Sequence, residues 1–333
     1  MNRNLSFFLA VLTLTLTLPA WAEPAQRMRI GVGGQASIYH LPLAVALHKG
    51  YFKEQQLDVE VVDFAGGGKA MQALLADAVD VISGAYEHTV RANARGMATQ
   101  AFVLASETPQ IAMAVSARHF PEYRSLADLR GKTIGISAPG SSTQMVASRV
   151  LNQAGVSPDD VSFIGLGTGM AAIEALVSGK VHALVHSEPL ISQLQQRPEV
   201  TIVADTRTPA DSAQLFGGPV PANVLLARMH YIEAHPQRIQ RLTNAMLKAL
   251  RWLNQASPED IAALVPQSWQ LNDALVYQQA LRNVLPALSA DGRFSEEGID
   301  NLLKALESFD PTLTNLAEDN ASTWTNRFVD NAP

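Results

Sequence analysis

Thr133-Ile-Gly-Ile-Ser-Ala-Pro-Gly-Ser-Ser-Thr-Gln144, running into Met145-Val-Ala-Ser-Arg-Val-Leu151, decides the fold. It reads as a short apolar strand, a turn set by Pro139 and Gly140, and a helix that opens on three adjacent hydroxyls, Ser141, Ser142 and Thr143. The free N–H groups of a first helical turn and the positive end of the helix dipole face one small volume there, which suits an oxyanion. A serine in that place also serves as a plain helix cap. No general base is spaced nearby to make either serine a nucleophile. The balance moves toward ligand contact because the same plan of strand, small-residue turn and helix recurs along the chain.

The 333 residues open on Arg3, an apolar run from Leu5 to Leu18 and a small-x-small end at Ala20-Trp21-Ala22, the pattern of a secretory signal peptide cut after Ala22. About 14 apolar positions fall short of the roughly 20 needed to span a bilayer. There is no cysteine, so a lipid-anchored start, a disulfide, thiol catalysis and iron–sulfur chemistry are excluded by composition. The formal charge is −6, or −7 once Arg3 is removed, and no basic block suggests nucleic acid or an anionic membrane face. A chain of this length exceeds the size at which single cores usually stop growing, so two lobes are expected.

Met28-Arg-Ile-Gly-Val-Gly33 predicts the first strand of the exported chain, and a helix opens at Leu41 with Pro42 in its first turn. Gln35, Tyr39 and His40 lie between the two, where open α/β sheets bind ligands, although His40 serves equally well as a structural hydrogen-bonding residue. After the strand 58–64, Ala65-Gly-Gly-Gly-Lys69 leads into another helix. Gly67 and Gly68 let the backbone approach a ligand closely, and Lys69 either meets an anion or is a solvated surface residue. The GxxxxGK[ST] spacing of a nucleotide loop is absent. The strand 79–84 then delivers Tyr86, Glu87 and His88 to the start of a third helix, with Tyr86 either a ligand contact or a core aromatic. This βα series specifies a mostly parallel sheet covered on both faces.

The second half repeats the series. The strand 161–165 leads to Leu166-Gly-Thr-Gly-Met170, which presents Thr168, and the strand 183–185 leads to His186-Ser-Glu-Pro189. Glu188 either binds an amine on a ligand or caps locally. His40, Glu87, His88, His186 and Glu188 show no recurring metal-ligand spacing, so no metal is expected, and Glu87 with Glu188 is a poor acid/base pair because nothing nearby reads as an oxyanion device. Residues 205–221 read as a polar loop rich in glycine and proline, and 223–227 as a strand returning to the first lobe. Helices are predicted over 236–253, 271–284 and 295–307, with a capping box at Ser257 and Asp260. The tail after Phe309, anchored by Trp324 and Phe328, is expected to pack on the first lobe as a helix.

Leu43-Ala-Val-Ala-Leu-His-Lys-Gly-Tyr-Phe-Lys53 with Leu57-Asp-Val-Glu-Val61, Ala65-Gly-Gly-Gly-Lys-Ala-Met-Gln-Ala-Leu74, Asp128-Leu-Arg-Gly-Lys-Thr-Ile-Gly-Ile-Ser-Ala-Pro-Gly-Ser-Ser-Thr143 and Ser187-Glu-Pro189 form a set. In order and spacing, the set resembles the nitrate/sulfonate/taurine class of ABC-transporter periplasmic substrate-binding proteins. The resemblance implies an α/β type II periplasmic binding protein fold, two α/β lobes around a central cleft, with residues 1–22 a signal peptide, 23–114 and 222–333 the two parts of lobe one, and 115–221 lobe two. It implies crossings near 110–118 and 215–228, and pocket turns at Gln35 to His40, Gly66 to Lys69, Gly84 to His88, Ser141 to Thr143 and Glu188. It further implies a monomeric, cofactor-free, non-enzymatic protein of the periplasm that binds a small organic anion or zwitterion and docks on an inner-membrane ABC permease. Tyr86-Glu87-His88 departs from the small polar residues common at the third turn and leaves an aromatic, zwitterionic or larger anion open. Thiamine-pyrimidine synthases share the fold but carry a cysteine-rich motif absent here. The rival readings are an exported enzyme or a sensor ligand carrier acting on a small organic acid.

Overall fold

The computed structural model describes residues 26–314 and 320–333. The expected signal peptide, 1–22, lies outside the described residues, as does 315–319 of the tail.

Ten strands form two five-stranded sheets among the described residues. β1 (Gln26–Val32), β2 (Leu57–Asp63), β3 (Val81–Ala85) and β4 (Thr99–Leu104) belong to the first, and β5 (Ile111–Ser116), β6 (Thr133–Ile136), β7 (Ser162–Gly165), β8 (Ala183–Ser187) and β9 (Val200–Asp205) to the second. β10 (Asn223–Arg228) returns to the first sheet. The spatial orders are β2-β1-β3-β10-β4 and β7-β6-β8-β5-β9. In each sheet four strands run in one direction and the fifth, β10 in the first sheet and β5 in the second, lies antiparallel between two of them. These two central strands are continuous apolar runs because both faces are covered: all six residues of β5 and five of six in β10 are buried.

Helices fill the βα connections: α1 (Leu41–His48), α2 (Tyr51–Glu54), α3 (Gly67–Leu75) and α4 (Glu87–Asn93) in lobe one, then α5 (Ser142–Gln153), α6 (Met170–Val177), α7 (Leu190–Gln195) and α8 (Pro209–Phe216) in lobe two. The chain closes with α9 (Met229–Ala234), α10 (Pro236–Leu253), α11 (Pro258–Leu264), α12 (Ala274–Val284), α13 (Glu296–Glu307) and α14 (Arg327–Asp330). The stripe Ile239, Leu242, Met246, Leu250 and Leu253 of α10 is buried, and α10 packs against α1 and α2. The Ser257 capping box with Asp260 is formed at α11.

Three expectations are corrected. Residues 205–221 contain α8, because the Thr208 side chain accepts from the Asp211 backbone N–H, Pro209 fits the first turn, and Gly217 ends the helix at φ +85°. The first passage between sheets lies at 105–110, ahead of the expected limit at residue 114, since β5 pairs wholly with β8 and β9. The carboxy-terminal helices do not pack on lobe one alone: α13 lies against α5 and α8, and α12 against α7. The described part of the tail reaches lobe one through a bridge from Trp324 to Ala101 and an edge contact of Phe328 with Phe102, with α14 its one α-helical turn among the described residues.

Tyr86 belongs to this packing. It is fully buried, its ring lies 5.8 Å from that of Phe294, and its hydroxyl meets Thr323 Oγ1 at 2.6 Å. The core reading of the residue therefore holds. Tyr86→Phe should lower stability by about 0.5–1.5 kcal/mol, the worth of one buried hydrogen bond, and leave ligand affinity unchanged. Denaturant unfolding with a parallel binding isotherm checks both.

Candidate functional site

Each parallel strand ends at the junction between lobes, so the turns after β1, β2, β3, β6, β7 and β8 converge there. Gly33, Ser37, Tyr39, His40, Gly67, Gly84 and His88 from lobe one enclose a cavity of about 40 Å³ with Ser137, Ser142, Thr143, Thr168, His186 and Ser187 from lobe two. By the space a water needs, that volume holds roughly three water-sized groups.

The lobes touch around the cavity through backbone. Ile38 N–H donates to the Glu188 carbonyl at 3.1 Å, and the hydroxyls of Ser37 and Ser187 are 2.9 Å apart. A methyl placed on Gly66 would stand 2.6 Å from Ala138 Cβ, and one on Gly68 2.5 Å from the Pro139 carbonyl oxygen. The glycines of the second turn thus permit lobe contact, a role the sequence reading assigned to ligand approach alone.

The predicted residues divide by position. Tyr39, His40, Gly67, His88, Ser142, Thr143 and Thr168 line the cavity. Gly68, Glu87 and Ser141 face a second space beyond it. Lys69 is exposed, which fits the solvated reading. Gln35 turns away: its backbone N–H donates to Asp63 Oδ2, and it stands with Leu43, Leu47 and Trp269 at a separate crevice. Glu188 is 1% exposed and wholly engaged, accepting from Ser192 N–H and Oγ, Arg207 Nη1 at 2.6 Å and Asn283 Nδ2. It anchors structure between α7 and α12 and does not line the cavity. Ser37, Gly84 and Ser187 lie within turns and motifs that the sequence marked without being named as individual contacts, and Ser137 was not named at all, because isolated small residues in turns carry no pattern to distinguish them.

Hydroxyl chemistry shapes the opening turn of α5. Thr143 Oγ1 accepts from the Ser137 backbone N–H at 3.0 Å and lies 2.6 Å from Ser141 Oγ and 3.0 Å from Ser137 Oγ. Ser141 and Thr143 therefore brace the loop, and Ser142, half-buried at the first helical position, is the hydroxyl left to face a ligand.

The three histidines are held neutral. Burial pulls His40 and His88 down to about 4, and burial likewise lowers His186. His40 Nδ1 meets Ser83 Oγ at 3.0 Å, and Ser83 donates to Asn223, whose amide in turn donates to the Tyr39 carbonyl. His186 Nδ1 accepts from the Ser187 N–H, so its Nε2–H donates to the Gly167 carbonyl at 3.1 Å. Burial drives Glu87 the other way, up to about 7, against the smaller pull of its own backbone N–H and of Arg91. Among the described residues no three His, Asp or Glu side chains come together as a metal-holding group.

Two measurements probe these environments. Arg207 is 7% exposed; burial opposes its charge, yet its bonds to Asp205 and the charge of Glu188 raise it above its ordinary range. Arg207→Ala strands the Glu188 carboxylate and should cost about 3–5 kcal/mol in denaturant unfolding. Glu87 binds its proton more tightly when folded, so between its ordinary 4.5 and about 7 it makes stability fall as pH rises. His40 and His88 act oppositely between about 4 and 6.5. Around Glu87 stand Tyr39, His88, Arg91 and the Asp310 paired with Arg91. Glu87→Gln removes only the falling limb, so its melting temperature relative to the parent should climb from pH 4.5 to 7.5. A flat difference would contradict the buried carboxyl.

The geometry has counterparts. A solved structure from Bordetella bronchiseptica RB50 is 42% identical, with a TM-score of 0.88 over 91% of this chain and 96% of that one. The alkanesulfonate-binding protein SsuA from Xanthomonas axonopodis pv. citri, solved bound to MOPS, is 20% identical with a TM-score of 0.72 over 91% of this chain and 99% of its own, a likeness of fold. The binding protein YtlA of Bacillus subtilis (strain 168) is 28% identical over 249 residues, 74% of this chain and 72% of its own. The expected two-lobed α/β periplasmic binding architecture is the one these folds share. Residues 37–261 match the family described as NMT1/THI5 like, and the chain belongs to that family.

Proposed function

We propose that the protein is the periplasmic solute-binding component of an ABC importer, taking a small organic anion between its lobes by non-covalent closure and presenting the closed form to a permease. One observation carries the reading. The starts of α3 at Gly67 and α5 at Ser142, and Thr168 just ahead of α6, all reach one small cavity that no Lys, Arg, Asp or Glu side chain lines. Free N–H groups and dipole ends favour negative charge there, each by about 0.3–1 kcal/mol and more when buried. Neutral histidines and serine hydroxyls add donors without adding a counter-charge. In this reading the hinge of closure is the pair of segments 105–110 and 217–222, along which the chain passes between sheets. The relatives bearing binding-protein names agree with this reading, and the imidazole–hydroxyl pair at the cavity wall, His40 with Ser83, does not read as an activated nucleophile, because the Ser83 hydroxyl donates to Asn223.

A thermal-shift panel on refolded, ligand-free protein of residues 23–333 tests it, with nitrate, alkanesulfonates, taurine, aromatic sulfonates, aromatic carboxylates and pyrimidines. An anion at about 100 times its Kd stabilises by about 2.7 kcal/mol and raises the melting temperature. In Gly68→Ala the added methyl would stand 2.5 Å from the Pro139 carbonyl oxygen across the lobe contact, so it should oppose closure and remove most of the ligand-induced shift in melting temperature. A panel in which uncharged pyrimidines alone shift the protein would replace the anion reading.

A further inference from the structure

His88 is a wall shared by two cavities. On one side is the 40 Å³ space; on the other is a chamber of about 620 Å³, also lined from both lobes. The same turns serve both. Gly67 faces the small space and Gly68 the large one, while Ser142 and Thr143 face the small space and Ser141 and Gln144 the large.

The two differ in charge and in apolar character. The small cavity has no ionisable side chain beyond Tyr39 and its neutral histidines, whereas the chamber carries Glu87, Asp159 and Asp310 against Arg91 and Arg95. Arg91 is paired with Asp310, and Arg95 stands on the exposed surface. Met71, Leu75, Met97 and Met145 supply an adaptable apolar wall.

Three buried polar atoms beside the partition have no protein partner: Tyr39 Oη, Glu87 Oε1 and His88 Nε2. Burial, and after it the charge of Glu87, pushes the Tyr39 hydroxyl well above its ordinary range. A buried polar atom left unsatisfied costs about 1–3 kcal/mol, so three along one wall describe a surface that a ligand completes. Nitrate or a short alkanesulfonate would fill the small cavity and leave the chamber and Glu87 untouched.

We infer that the ligand is bipartite, with an acid group in the small cavity and, past His88, an apolar body bearing an amine-type N–H donor that Glu87 accepts. This rests on the anion reading above and narrows it to amino acids in the broad chemical sense, carboxylic or sulfonic, whose acid and amine are separated by a rigid or extended spacer. The charge difference between the spaces fixes the orientation: the acid end lies at the helix starts and the amine end lies toward the carboxyls.

Calorimetry on residues 23–333 tests the inference with matched probes: 4-methylbenzenesulfonate against 4-(aminomethyl)benzenesulfonate, and 4-methylbenzoate against 4-(aminomethyl)benzoate. In at least one pair the amine-bearing member should bind about tenfold or more tightly, as a charge-assisted hydrogen bond of about 1.5–3 kcal/mol allows. Glu87→Gln, close in shape and checked for its melting temperature, should erase that gap while affinity for the methyl member stays within about twofold. Equal affinities within both pairs, or a gap that survives Glu87→Gln, overturns the inference and leaves the anion reading standing. Silence of all four probes together with the anions of the thermal-shift panel overturns both.

Discussion

Backbone meets backbone where the lobes join, and the approach is closer than side chains permit. Gly66 and Gly68 of lobe one lie against Ala138 and the Pro139 carbonyl of lobe two at separations that a Cβ would violate. Everything at the site depends on that contact. It brings the starts of α3 and α5 to one cavity, sets the Ser37 and Ser187 hydroxyls against each other, and lets His88 divide the interior. Because the contact is made by small residues without long side chains, closure orders few rotamers, which lowers its entropic cost.

A second constraint is electrostatic. The cavity is built from groups that are polar but uncharged, and burial keeps them so by pushing three histidines toward their neutral forms; beyond the partition, burial likewise pushes the carboxyl of Glu87 toward its own. A site of this kind supplies donors whose strength grows as water leaves. Full charges are confined to the periphery. The Glu188, Arg207 and Asp205 cluster is satisfied internally, and Asn283 of α12 donates to both Glu188 and Ser192, tying a carboxy-terminal helix to lobe two. The carbonyl of the same Glu188 accepts from Ile38, so one residue of lobe two is held by two separate segments of the chain.

Much of this was legible before any coordinates. The alternation of apolar strand, small turn and helix specifies parallel sheets, because a period of two followed by a period near 3.6 admits few other arrangements. The absence of cysteine fixed which chemistries were open. Tyr39, His40, Gly67, His88, Ser142, Thr143 and Thr168, which the sequence offers as ligand contacts, all line the cavity, since loops at the carboxyl ends of parallel strands face one another by topology.

What the sequence could not supply is direction. Tyr86, Glu87 and His88 are consecutive, yet one points into the core toward Thr323, one toward the larger chamber and one into the partition, and only the packing of Phe294 and the tail decides which. Lys69 and Glu188 look alike as charged residues beside turns, but one is solvated and the other is consumed by an arginine 19 positions later. Periodicity along a chain reports which face of an element is buried; it says nothing of which distant partner arrives to satisfy a polar group. The amino-acid sequence therefore determined the two-lobed α/β plan and the turns that build the cavity. The tertiary structure alone decided which side chains those turns present to a ligand, because that choice is made by contacts between residues far apart in the chain.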